Sequence, residues 1–362
     1  MAKKIKAGII GVGNCFAGLI QGIEYYKKNR NKKIIGLMHE KIGPYDFKDI
    51  EFVSAFDVGA NKIGRTLDKA VFASPNLVRW TKLPKSKVIV RESPILDGIG
   101  IYVENKIKPL KKPSPIEKLE KEIEQELKRT KTEILVNYLP VGSQKATEFW
   151  AKMALKTGCA FVNCLPAFIA SDKKWALRFA QHKLPIIGDD IKGQIGATIV
   201  HRILAKLCSD RGTTIDKTYQ INVGGCTDFL NMLERNRLES KKISKTEAVT
   251  SQIQKGGIQS DKIYIGPSDF IPFLGNTKLA FMRIDGKMFA DIPYSIELRL
   301  EVDDKANSAG VVIDAIRCAK LALDRKISGY LPVSSYFMKR PLIQYTDDQA
   351  KKIVEDFIKS KR

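Results

Sequence analysis

Paired cysteines, clustered histidines, long apolar runs and any excess of acid are all missing from this sequence, and each absence removes a class of function. The three histidines, His39, His182 and His201, stand far apart and in no metal-ligand spacing. Neither a histidine-bound metal nor histidine-led catalysis is therefore signalled. The six cysteines (Cys15, Cys159, Cys164, Cys208, Cys226, Cys318) form no CxxC pair, so they read as reduced thiols of a cytoplasmic protein rather than a disulfide framework. No segment approaches the roughly 20 consecutive apolar residues of a membrane span. The opening MAKKIKAGIIGVG runs from lysines straight into an apolar strand and glycines, without the apolar core and cleavage site of an export signal. We expect neither membrane insertion nor export.

Positive charge is abundant: 62 lysines and arginines face 40 acids, a net charge of +22. The lysines are mixed with acids, as in EKLEKEIEQELKRTK, and no nucleic-acid recognition motif is present. The expectation is a solvated surface and a phosphorylated small substrate, with no nucleic acid as partner.

At 362 residues the chain exceeds one compact core, so two domains are expected. Ile5 to Ile10 read as a buried strand that ends in glycines, and Phe16, Leu19, Ile20 and Ile23 follow at helical spacing. A second strand ends at Asp57, and KVIV, EILVNY, AFVNCL and PIIG read as further short strands with helical patterns between them. Ser114, Pro115 and Glu117 predict a capping box with proline at the first helical position. Ser143 is expected to open another helix and Gly158 to close it. Alternating strands and helices imply an α/β, doubly wound parallel sheet. After about residue 217 the pattern changes. Tyr219, Ile221 and Val223 alternate with polar residues, as do Ile296, Leu298, Leu300 and Val302, which predicts half-buried antiparallel strands. Asp285 and Gly286 predict a hairpin turn between them. From Asn307 onward a helical pattern returns, so the carboxyl end is expected to rejoin the first domain.

Gly8, Gly11 and Gly13 fall where the first strand meets its helix, where backbone amides can approach a dinucleotide pyrophosphate at the positive helix end. The strict GxGxxG pattern fails at Phe16, leaving Ala17 and Gly18 to give close helix packing instead. Asp57 is placed to accept hydrogen bonds from ribose hydroxyls, which favours NAD over NADP. Its spacing from Gly13 is longer than the usual ~20 residues, because MHEKIGPYDFKDI reads as an inserted loop.

The segments VNYLPVGS, FVNCLPAFIAS, GDDIKGQIGAT, GGCTDFLNMLERNRLESKKISKT, IGPSDF, NSAGVVIDAIR and YFMKRP together resemble the myo-inositol-1-phosphate synthase family of archaeal and bacterial type, in that family's order and over nearly the whole chain. The resemblance implies a Rossmann-like NAD-binding domain from residues 1–195 and 304–362, and an inserted α+β catalytic and tetramerisation domain from 196–303. It implies catalytic roles for Lys241, Lys245, Lys278, Lys339, Asp190 and Asp304, and cofactor contacts from Gly11, Gly13, Asn14, Asp57, Asn137, Asp190 and Asp228. NAD is the implied cofactor, glucose 6-phosphate the substrate, a homotetramer the assembly, and Asp304 a candidate ligand for a divalent metal ion. Gly193, Cys226 and Asn276 depart from the serine, asparagine and aspartate often found in the family.

The family reaction oxidises C5 of glucose 6-phosphate, enolises the ketone by loss of a C6 proton, closes C6 onto C1 and reduces C5 again. Lysines suit such steps, since an ammonium holds an alkoxide and a lysine crowded by cations loses its proton easily. Lys278 and Lys339 are the expected groups for proton transfer at C5 and for stabilising the developing oxyanions, and Lys241 and Lys245 the groups that hold the phosphate or polarise C1. Two rival readings remain at this point: an NAD(P) dehydrogenase of a phosphorylated substrate, and a catalytically silent NAD-binding relative.

Overall fold

In the computed structural model, which describes residues 4–29, 31–253 and 258–360, the chain builds two sheets. The first three residues of the lysine-rich opening lie outside the described residues. β1 (Ile5–Ile10) leads into α1 (Asn14–Lys28). There follow β2 (Ile50–Asp57), α2 (Leu67–Ala70), β3 (Val90–Glu92), α3 (Ile116–Thr130), β4 (Ile134–Asn137), α4 (Gln144–Thr157), β5 (Ala160–Asn163), α5 (Lys173–Gln181) and β6 (Pro185–Ile187). Next come α6 (Ala197–Asp210), β7 (Lys217–Gly224), α7 (Thr227–Asn231), α8 (Glu239–Thr250), β8 (Ile263–Phe270), β9 (Thr277–Lys287) and β10 (Pro293–Asp303). The chain ends with α9 (Asp304–Asp324), β11 (Gly329–Tyr330), α10 (Ser334–Phe337) and α11 (Asp347–Lys359).

The first sheet has the order β11-β6-β5-β4-β1-β2-β3, and its pairings are all parallel. Its strands read as unbroken apolar runs because both faces are covered. Ile9, Val136 and Val162 point into one core with Phe16 and Leu19 of α1 and Val312 and Ile316 of α9. Their neighbours Ile10, Leu135 and Phe161 point into the other, against Leu119 and Ile123 of α3 and Trp150 of α4. β11, from the carboxyl end, adds to β6, so the chain does rejoin its first sheet. β1 and β4 are neighbours from which the strand order runs in opposite directions, and ligands of open α/β sheets bind at such a switch point.

Three local expectations are corrected. Pro115 is the N-cap of α3 and no side chain caps it; Ser114 instead donates its backbone N–H to Glu92 Oε1 at 2.9 Å, so no capping box forms. Asp285 and Gly286 do not turn. They continue the β9 ladder opposite Ser295 and Tyr294, with Asp285 Oδ1 held by Arg283 Nε at 2.8 Å, and the chain reverses at Phe289–Asp291. Finally, the second sheet, β10-β9-β7-β8, is mixed, because β7 is antiparallel to β9 but parallel to β8.

The burial of β7 is also the reverse of a simple amphipathic strand. Thr218, Gln220, Asn222 and Gly224 face inward while Tyr219, Ile221 and Val223 face out. The inner face meets α6 and α8 through Ala197, Ala280 and Met282 and through Ala205, Val249 and Ile265. The outer face leaves Tyr264, Ile221 and Phe281 exposed by 50%, 41% and 38%. Among the described residues no helix is long and apolar enough to cross a membrane.

Candidate active site

One pocket opens at the carboxyl ends of β1 and β4 and runs to the second sheet. Its near end is the glycine turn. Gly11 has φ of 87°, and a Cβ there would lie 2.9 Å from the Tyr138 carbonyl oxygen, so only glycine fits without strain. α1 begins at Asn14 with Gly13 as N-cap and no side-chain cap, which leaves its first amides for a ligand. Gly18 supplies the close packing: a Cβ would sit 3.1 Å from both Lys305 Cβ and Trp80. Asp57 tethers the turn, accepting from Val12 N and Gly59 N, both at 2.8 Å, with Lys62 Nζ 3.5 Å away. Asn14 Oδ1 accepts from Leu77 N at 2.6 Å.

The far end gathers charged side chains from six parts of the chain. α8 carries Lys241 and Lys245 one turn apart, on one face. Lys278, in the first turn-ward residues of β9, is bonded to Asp304 Oδ1 at 3.1 Å. Lys339 reaches Asp190 Oδ1 at 2.8 Å, and Ser244 donates to Asp190 Oδ2 at 2.7 Å. Lys241 Nζ lies 3.8 Å from Asp228 Oδ2. The backbone sets this up: Ile191 bridges Met338, and Lys339 N donates to Asp190 O at 2.7 Å, which joins the GDD and KRP segments.

The electrostatics follow from crowding. Burial pushes the Lys245 ammonium well below its ordinary range, and Lys241, Lys278 and Lys339 push in the same direction. Lys339 is also lowered, by burial first, with Asp190 opposing. Lys241 goes the other way, because Asp228, Asp190 and Asp304 outweigh its burial. Burial raises the carboxyl of Asp190, but Lys339, Lys241 and Ser244 overcome it and hold the group low; Lys278 and Lys305 do the same for Asp304. Counted together, Lys241, Lys245, Lys278, Lys305 and Lys339 face Asp190, Asp228 and Asp304 in one pocket. Five lysines against three carboxylates give this end of the pocket more basic than acidic groups, with donors for the oxygens of a phosphate.

Of the residues singled out in the sequence, Gly11, Gly13, Asn14, Asp57, Asp190, Asp228, Lys241, Lys245, Lys278, Asp304 and Lys339 all line this pocket. Asn137 does not. It is fully buried, donating to Asn163 Oδ1 at 3.0 Å and Thr147 Oγ1 at 3.3 Å and accepting from Leu139 N at 3.3 Å. Its amide is used to join β4 to β5. The three histidines are also elsewhere: His39 pairs with Asp314 at 2.6 Å, His182 meets the Arg178 carbonyl at 2.8 Å, and His201, pushed down to about 4 by burial, contacts Thr218 Oγ1 at 2.8 Å.

Gly193 has a physical reason. A Cβ there would meet the Asn307 side chain at 2.8 Å, and that side chain bonds Ile195 N and O. Asn307 fills the space a serine would need. Lys305 was not singled out in the sequence, although a lysine in the first turn of α9 works against the helix dipole and is a signal in itself. Gln220 and Tyr138, also in the lining, carried no such signal.

The chain is 49% identical to the inositol-3-phosphate synthase of Mycolicibacterium smegmatis, with 99% of this chain and 98% of that protein covered. It is 48% identical to that of Corynebacterium glutamicum, with 98% of each covered. It belongs to the myo-inositol-1-phosphate synthase family. The model of that family, described as myo-inositol-1-phosphate synthase, matches residues 196–305, the stretch holding Lys241, Lys245, Lys278, Asp304 and Lys305. The fold is shared with a myo-inositol-1-phosphate synthase-related protein from Thermotoga maritima, at a TM-score of 0.82 and 23% identity over 98% of both chains. The Rossmann-like first sheet and the smaller second sheet thus belong to a family fold.

Proposed function

We propose that the chain is an inositol-3-phosphate synthase, an enzyme that isomerises glucose 6-phosphate to 1L-myo-inositol 1-phosphate with NAD recycled. The observation that carries this reading is the excess of lysines over carboxylates at the far end of a pocket whose near end is a dinucleotide turn. A phosphate monoester supplies oxygens for those donors, and a hydride-transfer enzyme alone has no use for so many lysines. The residues fit NAD: uncapped amides at the start of α1 for the pyrophosphate, Gly11 keeping the turn free of a side chain, and Asp57, Asn14 and Asp228 in the lining. These residues would hold NAD, which would supply a hydride acceptor and donor for C5. We assign Lys241, held charged by its acidic neighbours, to the phosphate. Lys245 and Lys339, whose lowered pKa values suit proton acceptors, are assigned to removing protons at C6 and at the C5 hydroxyl. Lys278, fixed by Asp304, holds the oxyanion at C5. The division into 1–195 with 304–362 and 196–303 is part of the same reading, supported by each segment having its own sheet.

Incubation with glucose 6-phosphate and NAD, followed by chromatography of the product and phosphate release on periodate, tests the activity. Inositol phosphate should form without steady growth of NADH absorbance; stoichiometric NADH would favour the dehydrogenase instead. Gly11→Ala should weaken NADH binding by about tenfold or more in a fluorescence titration, because a side chain at φ of 87° is strained by the order of 1–3 kcal/mol and clashes with Tyr138. Unchanged affinity would remove the turn from the site.

A homotetramer is part of the proposal, supported by the outward apolar face of the second sheet with Tyr264, Ile221 and Phe281. Light scattering should give four chains, and Phe281→Glu should shift the mass downward. A monomeric wild type would sink this point. A cytoplasmic location is proposed with it, as no spanning helix occurs among the described residues.

A further inference from the structure

The family resemblance implied a divalent ion at Asp304, and the residues there do not fit one. Among the described residues no group of three or more histidine, cysteine, aspartate or glutamate side chains is gathered as a metal would require. Both oxygens of Asp304 already face ammonium groups, Oδ1 toward Lys278 at 3.1 Å and Oδ2 toward Lys305 at 3.5 Å. Two cations on one carboxylate leave no anionic charge to hold a third.

Lys305 itself is unusual. Its side chain is 1% exposed, yet among the described residues its ammonium makes one hydrogen bond, the 3.5 Å contact to Asp304 Oδ2. An ammonium has three protons to donate, and a buried charge this thinly partnered is costly unless a ligand completes its shell. The direction of its stem says which ligand. Lys305 Cβ packs at Gly18, and the side chain runs to the pocket beside Cys15 and Cys226. Cys15 is in the first turn of α1, where the amides and the helix dipole favour an anion. The ammonium thus shares one pocket with Asp304 and with the first turn of α1, where a dinucleotide pyrophosphate would meet the helix.

We infer that the Lys305 ammonium is the resident cation of this site, standing beside Asp304 in place of a divalent metal and pairing with the dinucleotide phosphate at the start of α1. Turnover then requires no divalent ion. The inference rests on the dinucleotide reading above. It makes Lys305 a cofactor-binding residue that also fixes Asp304, and through Asp304 the position of Lys278.

The test uses the full chain, stripped with a chelator and checked for metal by mass spectrometry. NADH affinity is measured by fluorescence titration without substrate, and turnover separately with glucose 6-phosphate. Metal-free wild type should bind NADH and turn over as before, and added magnesium, manganese or zinc should raise neither. Lys305→Met, which keeps the stem, should lose NADH affinity by roughly tenfold to a hundredfold, the range of a charge-assisted hydrogen bond. Lys305→Ser should lose as much, and Lys305→Arg should keep most of the affinity. Wild type that loses NADH affinity on chelation and regains it with metal overturns the inference, without any variant needing to fold. So does a folded Lys305→Met or Lys305→Ser with wild-type NADH affinity. Wild type that binds no NADH under any condition would instead overturn the dinucleotide reading.

Discussion

Replacing Lys278 with alanine is expected to lower inositol phosphate formation by ~100 to 10,000-fold, the usual contribution of a positioned acid, base or oxyanion-holding group. The ammonium is bonded to Asp304 at 3.1 Å and lines the pocket with Lys241, Lys245 and Lys339, while the glycine turn is built from β1 and α1 in a different part of the chain. NADH binding should therefore survive within a few fold. The loss should appear in kcat, because the oxyanion assigned to Lys278 would develop only as the reaction proceeds. An exposed surface lysine would change stability by no more than about 0.5 kcal/mol and activity hardly at all. A folded variant that keeps most of the wild-type rate removes Lys278 from the chemistry.

Asp190→Ala should reduce both stability and turnover. Asp190 is buried and holds Lys339 at 2.8 Å and Ser244 at 2.7 Å, so it ties α8 to the segment carrying Lys339. Removing one member of a buried ion pair costs about 3–5 kcal/mol, because the other charge is left unpaired. Lys339, already lowered by burial, would then shed its proton more readily still, and the proposed acid–base balance at C5 would shift. Urea melts should show the loss. The pH dependence has a definite sign. The folded-state carboxyls of Asp190 and Asp304 are held low, so their stabilisation is fully present above the ordinary unfolded aspartate value of about 3.9 and is lost as pH falls toward their folded values. Wild-type stability should thus decline below about pH 4, and Asp190→Ala should show a shallower decline there. Equal slopes would mean that Asp190 makes no net electrostatic contribution to folding.

Much of the first sheet was legible because burial on two faces writes continuous apolar strands, and α1, α4 and the glycines between them are local patterns. Gly158 closes α4 in a left-handed conformation, as its position suggested. Legibility ended where a residue's partner was remote. Asp285 and Gly286 look like a turn in isolation, yet cross-strand pairing with Tyr294 and Ser295 keeps them extended. Tyr219, Ile221 and Val223 alternate as an inward face should, but the polar side of β7, with Thr218, Gln220 and Asn222, is the buried one. Asn137, at the end of a strand beside the glycine turn, spends its amide on β5.

The site divides in the same way. Which lysines and aspartates line the pocket was legible along the chain, since SKKISK, NTK, FMKRP, GDD and VDDK are short motifs readable one at a time. Their charge states, and the pairing of each base with one acid, were decided by the fold. Lys241 and Lys245 sit one turn apart on one helix, yet their pKa values move in opposite directions, because burial and the neighbouring lysines together lower the second, whereas Asp228, Asp190 and Asp304 outweigh burial at the first. The same holds for Lys305, which becomes a buried cation only when α9 docks on Gly18 of α1. Sequence carries residue type and local spacing, whereas charge and proton affinity depend on distances of a few ångströms between segments hundreds of residues apart, and those distances exist only in the folded chain.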